Sequence, residues 1–251
     1  MNAWRISRPP LAATGVFVGQ MLRAAYRDDL PSYANQDPSG SFGDPSLPKL
    51  RIVFLGDSSV TAPGVDPLDH CWARQIAIHL GDRFHVEARS VALGGSRVRD
   101  VLGSQVDRAL AIDPDIAYVS VGSNDALRGT PIGRFEAEYS KVVERLDRHV
   151  SAIGLSGIGD LGTIPRLPEL ARGIARIRAR AVNNAVARVA ARYPSTVKSN
   201  AWGVMEGRFA NEPDLFAGDL FHASAAGHLV FAEVALPVAD RLVEIWQRDR
   251  T

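Results

Sequence analysis

Asp219 and His222 stand three positions apart, and Ser58 follows a short apolar run that ends in Gly56-Asp57. A serine hydroxyl is a weak nucleophile near neutral pH. It needs a base within hydrogen-bond reach, and the base needs an orienting carboxylate. Ser58 can supply the hydroxyl, His222 the imidazole and Asp219 the carboxylate. With two residues between them, Asp219 and His222 fit on one loop, so no third segment has to fix the imidazole tautomer. Attack on an ester creates an oxyanion, which needs preorganised donors. The Ser58 amide, the Gly95 amide and the Asn124 side-chain NH₂ are the candidates. Each cluster alone also reads blandly. Gly56-Asp57-Ser58 and Gly122-Ser123-Asn124-Asp125 are turn chemistry, Gly94-Gly95 permits close approach, and an Asp three residues before a His can cap a helix. The ordered set of four fits one mechanism.

These clusters follow elements able to position them. LRIVFL (50–55) is a short apolar run stopped by Gly56, as expected of a buried strand. IAYVSV (116–121) is the clearest strand, and residues 85–91, 149–158 and 196–202 supply three more. Between them lie helical patterns. Trp72, Ile76, Ala77 and Leu80 share one face, as do Val98, Val101, Leu102, Val106, Ala109 and Leu110. Phe135, Tyr139, Val142, Val143, Leu146 and Val150 form the next. A long helix over 168–192 is expected to turn Ile174, Ile177, Ala181, Val182, Val186 and Val189 inward, and a last helix runs from about Ser224 to Trp246. Strand–helix alternation without hairpins predicts a three-layer, doubly wound α/β fold with a five-stranded parallel sheet. In such sheets ligands sit beyond the carboxyl ends of the strands, where these clusters fall.

At these residues the chain resembles the SGNH hydrolases, also called GDSL-type esterases and lipases, over about residues 50–246. The serine block matches Gly56-Asp57-Ser58-Ser59. The glycine block matches ALGGSRVRDVL, with the oxyanion glycine at Gly95 from its offset to Leu102. The asparagine block matches Gly122-Ser123-Asn124-Asp125, and the final block matches Asp219 and His222. ASAAGH (223–228) resembles the continuation common in bacterial members, and GDLGTIP (159–165) is similar to an actinobacterial subgroup. Ser90, Ala92 and Ala223 depart from residues frequent in relatives (Asn, Gly and Pro). The resemblance implies a flavodoxin-like α/β/α sandwich and a serine esterase with no cofactor. Its implied catalytic residues are Ser58, Asp219 and His222, with Ser58, Gly95 and Asn124 as the oxyanion hole. An acyltransferase using a sugar or lipid hydroxyl, or a non-catalytic α/β binding module, stands as the alternative.

Composition agrees with a globular protein. The 251 residues are 46% hydrophobic and 23% charged, and 29 Lys+Arg against 28 Asp+Glu give no global reason to expect nucleic acid. A single cysteine, Cys71, excludes an internal disulfide and reads as a buried apolar residue. Gly-x-Ser-x-Gly and Walker A strings are absent, and the histidines lack metal-ligand spacing, so no metal is expected. Residues 31–49, rich in Pro, Gly, Ser and Asp, read as an irregular linker between an N-terminal helical segment (1–30) and the catalytic domain (50–251). The uncharged stretch 9–22 is too short to span a bilayer and is expected to pack on the domain or touch a membrane surface. A cytoplasmic or peripherally membrane-associated protein is therefore expected, with export left open. The expected substrate is a small-molecule or lipid ester. Arg172, Arg176, Arg180, Arg188 and Arg192 read as a solvated helix face, and Arg97 and Arg99, just past Gly95, are candidates to read a negatively charged leaving group.

Overall fold

The computed structural model describes residues 27–250. Leu50–Leu55 is apolar at consecutive positions because both faces of its strand are covered. In β2 (Lys49–Gly56), Ile52 and Phe54 enter one core, while Val53 and Leu55 enter the other. Strict two-residue alternation requires this of a strand between two helical layers. β2 pairs in parallel with β3 (His85–Ser90) on one side and β4 (Ile116–Ser120) on the other. β5 (Ala152–Leu155) and β6 (Thr196–Lys198) continue beyond β4. The parallel order β3-β2-β4-β5-β6 is flavodoxin-like, and its switch point lies between the carboxyl ends of β2 and β4.

Helices follow each of the strands β2 to β6 along the chain. α1 (Ser58–Thr61) is a single turn, and α2 (Trp72–Gly81) lies against the sheet. α3 (Val98–Asp100) passes through a π-helical turn, Val101–Gln105, into α4 (Val106–Leu110). α5 (Ser123–Leu127), α6 (Ile132–Asp147), α7 (Glu169–Ala190), α8 (Ala201–Asn211) and α9 (Ala225–Arg248) follow. Trp72, Ile76, Leu80, Leu242, Val243 and Trp246 from α2 and α9 form the core on one face. Val106, Phe135, Tyr139, Leu146, Val182 and Val186 form the other. Each such side chain contributes roughly 1.5–3 kcal/mol when fully buried, which fixes the sheet that carries the site.

The structure differs from the sequence reading in two respects. First, the sheet has six strands. Gly40–Phe42, inside the expected linker, forms β1 and pairs antiparallel with the edge strand β3. Three residues, two of them Gly and Ser, are too few to carry an alternating pattern. Pairing is decided by the open edge of β3 and by Phe42 under the Arg74 guanidinium, 5.1 Å from its ring centre. The residues before β1 are also bonded to the domain. Gln36 donates to the Ala62 and Val65 carbonyls at 2.7 and 2.9 Å, and Asn35 accepts from the Thr61 hydroxyl at 2.7 Å.

Second, Ile174 and Ile177 do not face inward. They are 53% and 71% exposed, and the buried stripe of α7 is Ala171, Ala175, Ala179, Val182, Ala185, Val186 and Val189. Small alanines let α7 lie close to its neighbours. Its rotation is held by arginines: Arg172 donates to the Pro165 and Leu167 carbonyls, and Arg178 to those of Ala126 and Thr130. The expected N-terminal helical segment and the 9–22 stretch lie outside the described residues, apart from a turn at 27–30. Among the described residues no helix is long and apolar enough to cross a membrane.

Candidate active site

Ser58 opens α1 two residues beyond the end of β2. Asp57 caps that turn, its carboxylate accepting from the Ser59 amide at 2.9 Å. The Trp72 indole N–H donates to the Ser59 carbonyl at 2.6 Å, and the Ser59 hydroxyl meets that of Ser120 at 2.8 Å. Gly56 makes this approach possible. Its φ is +153°, and a Cβ there would lie 2.0 Å from the Ser120 carbonyl oxygen. No residue with a side chain can stand at that point without moving β4.

Two other segments carry the remaining oxyanion candidates. Asn124, in the first turn of α5, donates to Asp57 at 3.3 Å, which leaves its second N–H free. Asp57 is buried, and burial pushes its carboxyl pKa up against the hydrogen bonds from Ser59 and Asn124. Gly95 has φ +78°, and only the Arg128 guanidinium, at 3.6 Å, lies near a Cβ built on it. Gly94 is different: the Asn35 side chain stands 2.1 Å from the corresponding position.

Gln105 joins the serine and glycine blocks, a role the sequence reading missed. Fully buried at the end of the π turn, it accepts from the Gly56 amide at 2.8 Å and donates to the Gly56 carbonyl at 2.9 Å. It also reaches the Ser96 hydroxyl at 3.1 Å. A signal existed, since Gln105 is four residues from both Val101 and Ala109, a polar residue on an apolar face.

Asp219 and His222 do lie on one loop. An isolated antiparallel bridge, Phe216 to Ala223, closes it, and the Ala217 amide donates to the His222 carbonyl at 2.8 Å. One Asp219 oxygen accepts from the amides of Phe221 and His222, both at 3.0 Å; the other meets His222 Nδ1 at 2.6 Å. Burial works to raise the Asp219 pKa. The imidazole and the two amides outweigh it and hold the carboxyl at about 2. Asp219 is therefore ionised at neutral pH, and Nδ1 carries the proton that bonds to it, leaving Nε2 free as a base. The Leu220 carbonyl accepts from the Arg166 amide at 3.0 Å, which ties this loop to the GDLGTIP segment.

Ser58 and His222 line one cavity, with Phe216, Phe221, Phe231 and Ile158 among its apolar walls. They are not hydrogen-bonded to each other here; nucleophile–base contacts in free enzymes are often long and tighten with substrate. His228 stands in the same wall, 2% exposed, with Nδ1 unpartnered. Burial, then the nearby His222, push its pKa down from 6.5 to about 3. Cys71 is fully buried, as its apolar reading requires. The arginines of α7 serve structure. Arg176 holds the buried Asp160 at 2.6 Å, Arg188 and Arg192 share Glu136, and Arg180 lies over Trp202.

A family model described as "GDSL-like Lipase/Acylhydrolase family" matches residues 54–230. The chain belongs to that family. The chain is similar to GDSL-like esterase Rv1075c of Mycobacterium tuberculosis, 26% identical over 210 residues, 78% of this chain. It spans 63% of that relative's length. Among solved structures it is similar to LAE5, an alpha/beta hydrolase enzyme from the metagenome of Lake Arreo, with TM-score 0.64, 20% identity and coverage of 78% of this chain and 97% of LAE5. It is also similar to Axe2, an acetylxylan esterase from Geobacillus stearothermophilus, with TM-score 0.60, 18% identity and coverage of 79% and 95%. At these identities the solved structures bear on the fold.

Proposed function

We propose that this chain hydrolyses carboxylic esters through an acyl-enzyme on Ser58. His222 Nε2 takes the hydroxyl proton as Ser58 Oγ attacks the ester carbonyl. Asp219 holds the ring and stabilises the imidazolium that forms. The Ser58 and Gly95 amides and Asn124 Nδ2 donate to the tetrahedral oxyanion. His222 then protonates the leaving alcohol, and water repeats the sequence on the acyl-enzyme. The observation that carries this reading is the 2.6 Å Asp219–His222 contact opening on the cavity that Ser58 also lines. The open surface around Gly95, against the covered Gly94, favours Gly95 as the oxyanion glycine. The apolar walls suit the acyl portion of a small-molecule ester.

The test is hydrolysis of a p-nitrophenyl ester series from acetyl to long acyl chains, with Ser58→Ala alongside. The wild type should turn over, and the variant should lose roughly 10⁴-fold or more in kcat. A folded wild type inert on every ester, or a variant with unchanged kcat, overturns the reading.

A further inference from the structure

The cavity of Ser58 and His222 extends past the reacting groups along one face of β4. Ser120 meets Ser59 there, and Tyr118 stands one pleat further from the carboxyl end of the strand on the same face. The Tyr118 ring stacks on Phe54 and meets Trp72 of α2 edge-on, with centroids 5.0 Å apart. One face of α9 forms another wall of this cavity, through His228, Phe231, Val234 and Ala235. Two of these groups are polar and unpaired. The Tyr118 hydroxyl and His228 Nδ1 are buried and have no hydrogen-bond partner among the described residues. The other buried polar side chains of the cavity are occupied: Asp57 by Ser59 and Asn124, Ser120 by Ser59, Asp160 by Arg176, and Ser199 by the Gly157 amide. Buried polar groups are nearly always paired, so two left open in one ligand cavity mark where a polar group of the ligand is received. Burial raises the pKa of the Tyr118 hydroxyl, and burial with the nearby His222 lowers that of His228 to about 3, so both groups are neutral at pH 7.

We propose that this pocket receives acyl groups that carry a hydroxyl on the chain, recognised by Tyr118 and His228. The inference rests on the ester-hydrolase reading above and extends it from reaction to the acyl part of the substrate. The Tyr118 hydroxyl, which stays protonated, donates to the ligand oxygen. Nδ1 of His228 accepts in one imidazole tautomer and donates in the other, and a hydroxyl answers either. A charged group fits poorly, because His228 refuses a proton and neither wall group offsets a buried carboxylate. A plain alkyl chain leaves both wall groups unpaired. Sites built to hydrogen-bond a hydroxyl discriminate against the analogue that lacks it, because their own buried groups are then stranded. The aromatic rings around the two polar groups hold the methylenes that lead to the hydroxyl.

Binding to the Ser58→Ala chain tests this without turnover. Calorimetric titration compares pairs of methyl esters. Each pair sets a straight-chain alkanoate, from butanoate to nonanoate, against the terminal hydroxy ester one carbon shorter, which has the same number of heavy atoms. A purely apolar pocket would bind each hydroxy ester about tenfold more weakly or worse. Here, at one chain length, the hydroxy ester should bind at least as tightly as its partner. Tyr118→Phe deletes one oxygen and should shift that ratio about tenfold towards the alkanoate; His228→Phe should shift it the same way. Thermal unfolding of both variants separates loss of recognition from loss of the fold, and Tyr118→Phe alone decides if His228→Phe does not fold. A carboxylate in place of the hydroxyl should weaken binding. Hydroxy esters disfavoured about tenfold at every length overturn the inference. So do a parity that survives Tyr118→Phe, a carboxylate that binds more tightly, and failure of every ester to bind. Hydrolysis of p-nitrophenyl acetate by the wild type is read separately and reports on the ester-hydrolase reading alone.

Discussion

Asp219 uses its two oxygens differently. One is saturated by backbone amides, which fixes the carboxylate to its own loop, and the other is left for the imidazole. Asp219→Asn keeps the shape but removes the charge, and it can present an amide N–H to Nδ1 in place of an acceptor. The imidazole then loses the contact that selects its tautomer. We expect kcat on an ester to fall by roughly 10²–10⁴-fold with a smaller change in KM, measured by steady-state kinetics. A fall in KM-dependent binding alone would mean that Asp219 only shapes the loop. The dyad was legible in the sequence because it is local: three residues apart, it needs only a turn. The joint between Gly56 and Gln105 was not legible, because it spans 49 residues and depends on how the π turn rotates one side chain.

At the scale of elements, that π turn joins the serine and glycine blocks. Gln105 bonds both polar groups of the buried Gly56; the carbonyl also accepts from the Leu93 amide at 3.2 Å, so Gln105→Ala strands the Gly56 amide. Each unpaired group costs about 1–3 kcal/mol. Chemical denaturation should register a loss in that range or above, together with lower kcat, since Ser58 is two residues from the released segment. Unchanged stability would show that water replaces the side chain. α7 offers a contrast. Periodicity alone turned Ile174 and Ile177 inward, yet the helix packs through alanines and is locked by Arg172 and Arg178. Ile177→Ala should therefore change unfolding free energy by less than about 0.5 kcal/mol. Val182→Ala, in the buried stripe, should cost roughly 1.5–3 kcal/mol. Equal costs would contradict the observed rotation.

For the whole molecule, His228 and Asp219 are two groups that couple stability to acid. His228 is held neutral, with its pKa lowered from 6.5 to about 3. Below pH 6.5 the unfolded chain binds a proton that the folded chain refuses, so stability falls as pH drops from about 6.5 towards 3. The limiting slope is about 1.4 kcal/mol per pH unit. Asp219 acts lower. Its folded pKa is depressed to about 2, so its contribution is present above the ordinary carboxylate value and is lost as pH falls from about 4 to about 2. Urea unfolding of the wild type and of His228→Phe between pH 7 and 4 reads the first effect. The variant should show a flatter profile over that range, and parallel profiles would assign the acid sensitivity elsewhere.

By itself the sequence determined the parallel sheet, both helical layers and the clusters at the strand ends. Each of these depends on short-range patterns: apolar runs of strand length, 3.6-residue periodicity, and small polar residues where a strand must stop. Only the tertiary structure decided what those patterns leave free. A three-residue edge strand exists because β3 offers unpaired backbone groups, not because Gly-Ser-Phe prefers to be extended. The rotation of α7 follows from hydrogen bonds to loops far along the chain. Arg128 was one of many arginines in a chain of near-zero net charge. Its guanidinium stands beside Gly95 because the end of α5 and the glycine loop come together in the fold.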